Sequence, residues 1–427
     1  MRFCKKCLYP ENAKPTIIFD DNGVCSGCNY NNSRKDDDVD WIEREQAFQE
    51  ILDEAKDMAK ERGNAHDCII PVSGGKDSHY QVWLLKEKYG MNPLLVSFNH
   101  GFNTPSGLRN LRNLTEKSGC DLITYTAGKD SVKKIARYMV EKVGDITWHY
   151  HAGIRTLPFK VAVEKNIPLI VWGEHGFAEL TGLVSLKDLV EFTKWTRKEH
   201  DMRGIEAEEL IGNNGITATD IEPYIFPSDD QISETEVRGI YISNFFKWNA
   251  EEHARLMKKV WDFGYITYAR ERSFNLHSKI EDHANDVHDY MKFIKFGYGR
   301  GTDDASMEIR HGRITREDGI ALVKKYDPIE PSSLEFYCNF LGITVKEFYD
   351  FIEPMRDLNA WRKNDNGKWE LIDPIWGQEK YSSKGEFGKK SLIFSDNYKE
   401  MYYNPNNKPE SSLEVELSCK SQVFKWL

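Results

Sequence analysis

Residues 67–175 alternate short apolar runs with amphipathic segments, and that alternation predicts an α/β protein with a parallel, doubly wound sheet covered by helices on both faces. Two further observations complete the expected architecture. Paired cysteines within the first 28 residues predict a four-cysteine zinc ribbon ahead of the sheet. Helical texture over 250–354, without strand-like runs, predicts a mainly helical C-terminal region. A chain of 427 residues accommodates two or three such units at roughly 150 residues per domain, and it is long enough to bury a core without a disulfide scaffold.

In chain order, residues 1–32 form the ribbon, with a short strand expected at Thr16–Phe19. Cys4-x2-Cys7 and Cys25-x2-Cys28 are separated by 17 residues. Each short pair makes a tight knuckle that aims two thiolates at one point, and two knuckles complete a tetrahedron. The turn Asp21-Asn22-Gly23 precedes the second pair, and Gly27 lies inside it. Four protein ligands leave no open position for water, so Cys4, Cys7, Cys25 and Cys28 are expected to hold a structural Zn2+. A redox dithiol is the weaker alternative, because it needs no matching second pair.

Residues 33–66 comprise a polar linker over 33–40 and a helix over 41–62, on which Trp41, Ile42, Phe48, Ile51, Leu52 and Ala55 recur at mostly helical spacing. Residues 67–240 form the α/β domain with an insertion. Its strands are expected at Cys68–Val72, Pro93–Phe98, Asp121–Tyr125 and Ile167–Trp172. Its helices are expected at Asp77–Tyr89, Leu108–Ser118, 130–142 and 155–165. No strand of comparable quality follows residue 175, and 176–240 reads as irregular. Residues 241–375 form the helical C-terminal region. There Thr315-x-x-Asp318 starts a helix over 316–326 that Pro328 stops. Residues 376–427 are a polar tail.

Lys+Arg is 58 against Asp+Glu 68, a net charge of −10. That balance argues against a broad electrostatic grip on nucleic acid, so no nucleic-acid partner is expected. The longest apolar runs are far shorter than the roughly 20 residues needed to span a bilayer, and the N-terminus has no apolar signal segment. A cytoplasmic protein without a membrane partner is expected.

The sharpest motif is Ser73-Gly74-Gly75-Lys76-Asp77-Ser78, between a strand and a helix. It lacks the spacing of a Walker A loop, but the mechanics are related. Glycines let the backbone approach phosphate, helix N-terminal N–H groups face an anion, Ser73 and Ser78 add hydroxyl donors, and Lys76 adds charge. These six residues resemble the pyrophosphate loop (PP-loop) of the ATP pyrophosphatases, the superfamily that includes GMP synthetase, NAD synthetase, the synthetase domain of asparagine synthetase and tRNA-modifying enzymes. The resemblance implies a PP-loop sheet that cleaves ATP to AMP and pyrophosphate. It places Ser73, Gly74, Gly75, Lys76, Asp77 and Ser78 on ATP, with Lys76 and Asp77 catalytic and Asp77 near Mg2+. Asn99, at the end of the second strand, would face adenosine. Gly173 and Glu174 would reach the same carboxyl edge from the fourth strand, where open α/β sheets bind ligands.

A second signature runs from Lys295 to Ser306 and on through Glu308, Arg310, Gly312, Arg313, Thr315, Arg316 and Glu317. Its arginines offer rigid donor forks for phosphate or carboxylate, with salt-bridged surface positions as the plain alternative. Together with the cysteine pairs and the loop, it is similar to the N-acetyl sugar amidotransferases over residues 1 to about 375. That resemblance implies conversion of a sugar N-acetyl amide to an acetamidino group in bacterial lipopolysaccharide or flagellin nonulosonic acid biosynthesis. The amide oxygen would be adenylylated and AMP displaced by ammonia. Arg300, Arg310 and Arg313 become candidate phosphate or sugar-acid contacts. His175, which follows Gly173-Glu174 at a strand end, is a candidate substrate contact beside the nucleotide, and His149 and His151, flanking Tyr150, stand where they could touch sugar.

Position 2 is Arg, Cys4 belongs to the zinc pattern, and the remaining cysteines sit in strand or helix contexts. Neither kind of built-in glutaminase is expected, so ammonia would come free or from a separate glutaminase subunit. His277, His283 and His288 lie six and five residues apart, which is not the spacing of metal ligands on one helix face. A tRNA-modifying thiolase is the runner-up, but it calls for more catalytic cysteines and a basic surface. A non-catalytic zinc-ribbon scaffold is the third possibility, and the intact Lys76 and Asp77 argue against it.

Overall fold

A computed structural model describes residues 1–377 except 36–38, 185–186, 188 and 266–269; the expected polar tail lies almost wholly outside the described residues. A five-stranded sheet forms the centre. Its strands are β1 (Cys68–Pro71), β2 (Pro93–Asn99), β3 (Leu122–Thr126), β4 (Leu169–Trp172) and β5 (Arg238–Tyr241), in the order β3-β2-β1-β4-β5. All neighbours are parallel, with Cys68 opposite Pro93, Leu95 opposite Leu122, Ile69 opposite Ile170 and Leu169 opposite Arg238.

The near-continuous apolar strands follow from burial on both faces. Because successive residues of a strand point to opposite sides, Cys68, Ile70, Leu95, Leu169, Val171 and Ile240 enter one core. Ile69, Leu94, Val96, Phe98, Ile170 and Trp172 enter the other. The first core is covered by α2 (Trp41–Glu61), α3 (Lys76–Trp83) and the helix Ala250–Trp261. The second is covered by α5 (Lys129–Val143) and α6 (Trp148–Lys165). On the first side, α4 (Pro105–Ser118) starts cleanly because Thr104 accepts a hydrogen bond from the Gly107 N–H and Pro105 occupies the first turn.

The expected strands and helices of 67–175 are all present, with boundaries shifted by up to seven residues: the helix expected from 155 begins at Trp148, and α3 passes into a π-helical turn at Leu84–Lys88. Three expectations are corrected. A fifth strand, β5, lies beyond residue 175 and takes the sheet edge beside β4. Thr16–Phe19 forms no strand: only Phe19 bridges Cys25, because the Ile18 N–H donates to the Ser26 hydroxyl instead of a backbone carbonyl. Residues 262–284 are not helical where described. Asn275 accepts from the His277 and Ser278 N–H groups and Asp282 from that of Ala284, and such side-chain turns compete with helix.

Beyond residue 284 helices dominate, at Asn285–Phe296, Arg300–Arg310, Arg316–Tyr326, Leu334–Leu341 and Val345–Ile352. Thr315 caps the third, accepting from the Asp318 N–H. A small antiparallel hairpin, Trp361–Lys363 with Trp369–Leu371, closes the described chain. Among the described residues no helix is long and apolar enough to cross a membrane.

The N-terminal cysteine unit does not stand alone. Its second knuckle runs into α1 (Ser26–Lys35), so helix replaces the start of the expected linker. The unit is wedged between α7 (Gly176–Thr181) and the helix Arg300–Arg310. The Ser26 hydroxyl donates to the Thr181 carbonyl, the Tyr9 hydroxyl to Asp303, and the Leu8 N–H to Ser306.

Candidate active site and four-cysteine cluster

The Sγ atoms of Cys4, Cys7, Cys25 and Cys28 all lie within 4.8 Å of one another, and each residue is 0% exposed. Cys4 and Cys28 are 3.9 Å apart and Cys7 and Cys25 are 3.5 Å apart, with no disulfide among them. Tetrahedral zinc with Zn–S near 2.3 Å sets sulfur–sulfur edges of about 3.8 Å, so this donor set fits the metal. The N–H groups of Lys6, Cys7 and Cys25 all point at Cys4 Sγ at 3.3–3.4 Å. Hydrogen bonds from Cys25 and Cys28 pull the Cys4 thiol below its ordinary range. Among the described residues this is the one group of three or more Cys, His, Asp or Glu side chains close enough to share an ion.

The second feature is a cleft of about 380 Å³ at the carboxyl edge of the sheet, where the strand order reverses between β1 and β4. Open parallel sheets place their ligands at such a switch point. On one side lies the loop after β1. Gly74 sits at φ +87, and a Cβ there would come within 2.5 Å of the Gly107 carbonyl oxygen, so only glycine fits. Gly75 is the N-cap of α3 and makes no side-chain cap, which leaves the first N–H groups of α3 without a capping side chain. The Gly75 N–H bonds Ser73 Oγ, and the Ser73 N–H bonds Ser78 Oγ, folding the loop around its own hydroxyls.

Lys76 is 6% exposed, with Nζ 2.8 Å from Asp77 Oδ2 and 3.4 Å from Ser278 Oγ. Burial pushes the Asp77 carboxyl up, but Lys76 and then His253 outweigh it, and the group stays below the ordinary 3.8. Asp77 Oδ1 is buried without a hydrogen-bond partner, and His253 Nδ1 stands 3.6 Å from it. Burial, then the charge of Asp77, raises the Glu174 carboxyl above its usual range.

Ser73, Asp77, Ser78, Gly173 and Glu174 line this cleft together, and Gly74, Gly75 and Lys76 complete the loop behind them. Asn99 does not line it. Its side chain donates to Thr126 and accepts from the Gly101 N–H, leaving the neighbouring His100 at the cavity wall. His175 also stands outside: it is 3% exposed, caps α7 through the Ala178 N–H, and packs its ring 4.6 Å from that of Tyr241. Burial brings its imidazole down to about 4.

The three candidate arginines lie elsewhere, against protein partners. Arg300 pairs with Asp289 at 3.1 Å and Asp303 at 3.5 Å. Arg313 pairs with Glu308 at 2.5 Å and Glu251 at 2.9 Å. Arg310, 1% exposed, donates to Cys25 Sγ at 3.5 Å and to the Glu179 and Leu180 carbonyls at 3.1 and 2.8 Å. It therefore ties the cysteine cluster to α7, and Gly176 and Leu180 of that segment line the cleft.

Several wall residues went unnoticed in the sequence. Tyr150, Ile154, Arg155 and Pro158 present one face of α6, and Lys279, Glu281 and Asp282 come from the irregular segment before residue 285. Arg155 pairs with Asp201 at 3.2 Å and lies over the Trp172 ring, and Tyr150 donates to Asp282 at 2.5 Å. Helical spacing on α6 was a usable signal; nothing local marked the 279–282 contribution.

Residues 243–375 match a family model described as "LPS biosynthesis protein WbpG-like, C-terminal domain". The uncharacterized protein MJ1599 of Methanocaldococcus jannaschii is 26% identical over 159 residues, which is 34% of this chain and 54% of that protein. The chain thus spans about half the length of the curated relative it matches. Solved structures with some likeness include NMN synthetase from Francisella tularensis (13% identity, TM-score 0.26, 52% of this chain and 87% of that one). Another is NH3-dependent NAD synthetase from Campylobacter jejuni (11%, 0.25, 52% and 94%). A third is U34-tRNA thiolase NcsA from Methanococcus maripaludis, solved with its 4Fe-4S cluster (14%, 0.26, 78% and 91%). At TM-scores of this size the overlays assign no activity.

Proposed function

We propose that this chain, which carries a WbpG-like C-terminal domain over residues 243–375, is an ATP-dependent ligase of surface-glycan biosynthesis that turns a sugar N-acetyl group into an acetamidino group. The observation that carries the reading is the convergence, on one cleft, of a phosphate-binding turn with a polar and aromatic wall. Ser78 and the α3 N-terminus offer donors to a polyphosphate, and Ser73 adds one when its hydroxyl turns from Glu281, to which it donates at 3.3 Å. Tyr150, Trp172, His100 and Asp282 offer hydrogen bonds and ring surface suited to a sugar.

An amide carbonyl is a poor electrophile. In the proposed sequence the acetamido oxygen attacks the α-phosphorus of ATP and pyrophosphate departs. Ammonia then adds to the activated carbon and AMP leaves. The chain's own residues bind and orient: Lys76 and the loop N–H groups stabilise the charge that grows on pyrophosphate, in a partly enclosed site where such contacts are strong. Asp77 Oδ1, buried without a hydrogen bond and 3.6 Å from His253 Nδ1, is the oxygen this chain would offer to a magnesium ion accompanying the nucleotide. The four cysteines would hold zinc for structure, with no step routed through it. Ammonia would be supplied free or by a separate glutaminase, the substrate being a sugar of lipopolysaccharide or a flagellin nonulosonic acid.

The test is pyrophosphate and AMP release from ATP with ammonium and a panel of N-acetyl sugars: UDP-N-acetylglucosamine, UDP-N-acetylgalactosamine and CMP-N-acetylneuraminate. Sugar-dependent release supports the reading. Release that requires tRNA instead overturns it in favour of RNA modification, and no detectable nucleotide binding overturns it in favour of a scaffold.

A further inference from the structure

The cleft wall opposite the phosphate loop carries His151, and behind its ring lies a buried cluster to which the proposed chemistry assigns no role. Asp145 Oδ1 accepts hydrogen bonds from the Thr147 N–H at 2.7 Å and the Thr147 hydroxyl at 2.6 Å. A threonine hydroxyl has one proton to donate, and Asp145 takes it. Thr147 Oγ1 is therefore an acceptor toward the two ring nitrogens that face it, His151 Nδ1 at 3.3 Å and His288 Nδ1 at 3.0 Å. His151 must carry its proton on Nδ1, which leaves Nε2 as a lone-pair acceptor on a ring that lines the cavity. Arg203 holds Asp145 at 2.7 Å from the other side, and His288 lies 3.3 Å from the same carboxylate.

The charged groups around His151 keep it neutral. Burial lowers its proton affinity most, Arg203, His288 and Lys279 lower it further, and Asp145 only partly opposes them, so the ring stays well below its ordinary 6.5. A neutral imidazole with a fixed tautomer, on the wall of a site where an amine is consumed, has a free lone pair for a proton, and its lowered affinity matches it to an acidic donor such as an –NH3+ on a carbon that carries a phosphate leaving group.

The amidation needs such a group. Adding NH3 to the O-adenylylated amide, a cation, forms the C–N bond and places the positive charge on an –NH3+ nitrogen. Expelling AMP from that species would leave a dication, so one proton must first go to a base. The resulting –NH2 then pushes out AMP with its C–O electron pair, giving a singly charged amidinium. We propose that His151 Nε2 accepts that proton, with Thr147 and Asp145 as positioning residues that hold the ring in the required tautomer. This rests on the amidation reading above.

Two measurements separate the half-reactions. Isotope exchange between pyrophosphate and ATP, with a sugar of the panel present and ammonia absent, reports adenylylation. Mass spectrometry of the sugar reports amidine formation. His151→Gln is expected to lower amidine formation by about 10²–10⁴-fold more than it lowers exchange, the usual worth of a general base. Thr147→Val is expected to lower amidine formation and flatten its pH profile, and Thr147→Ser to restore both. Because exchange is read on the same protein, it reports folding too. Equal amidine formation by His151→Gln and wild type overturns the assignment, as does equal loss of both half-reactions. Wild-type protein that shows no sugar-dependent exchange with any member of the panel instead overturns the amidation reading on which it rests.

Discussion

Replacing Lys76 with methionine removes a buried cation while nearly keeping its volume, and the contacts of that cation set both the size and the pH dependence of the loss. Its ammonium lies 2.8 Å from Asp77 Oδ2, and Lys76 is the largest influence holding that carboxyl below 3.8. Breaking a fully buried pair by removing one partner costs about 3–5 kcal/mol; with the Asp77 side chain 28% exposed the cost here is smaller, and smaller again by whatever the stranded group recovers by neutralising. The sign of the pH dependence is then fixed. In the wild type a depressed carboxyl contributes stability that is fully present above 3.8 and is lost as pH falls through the lower folded value. In the variant only His253 opposes burial, the largest single influence on Asp77, and the carboxyl is expected to titrate above its unfolded value. Its contribution is then present at low pH and lost as pH rises, so the variant's deficit shrinks between pH 7 and pH 5. Loss of the cation on departing pyrophosphate adds a catalytic penalty of about 2.7–4 kcal/mol, or 10²–10³-fold in pyrophosphate release. Urea denaturation at the two pH values and a pyrophosphate-release assay check both. An equal stability deficit at pH 5 and pH 7, or release within about threefold of wild type, would refute this account of Lys76.

Cys25→Ser is expected to lose bound zinc and fold poorly, read by metal analysis and soluble yield, because metal binding is part of the folding free energy of such a unit. Arg310→Met is expected to weaken zinc binding by about 10–100-fold and to speed hydrogen exchange over 176–182, since Arg310 bridges Cys25 to the α7 carbonyls. Gly74→Ala is expected to weaken ATP binding more than about tenfold in calorimetry while zinc content stays at the wild-type level, because the added methyl meets the Gly107 carbonyl at φ +87.

The local parts of the fold were legible because they are written in local patterns. Cys68–Pro71 and Pro93–Asn99 are apolar runs that no helix face would need, and Cys4, Cys7, Cys25 and Cys28 declare their geometry by spacing. The edge strand Arg238–Tyr241 was not legible: four residues, one of them glycine, acquire strand character only by lying beside β4. The same difference separates the site residues. A loop such as Ser73–Ser78 builds its site from consecutive backbone groups, so its sequence is its structure. Arg300, Arg310 and Arg313 carry charge that suits a ligand or a buried protein partner equally, and only the fold reveals Asp289, the cysteine thiols and Glu251 as those partners. Tyr150, Arg155, Glu281 and Asp282 reach the cleft from elements that are remote in sequence, a property of topology alone.

In the proposed reaction the acetamido oxygen becomes the bridge to AMP, and an isotope label follows that atom directly. An N-acetyl sugar labelled with oxygen-18 in the acetyl carbonyl, incubated with the protein, ATP and ammonium, should transfer the label to the phosphate of AMP as the amidine forms. Label that stays in the sugar while ATP is consumed would contradict the account.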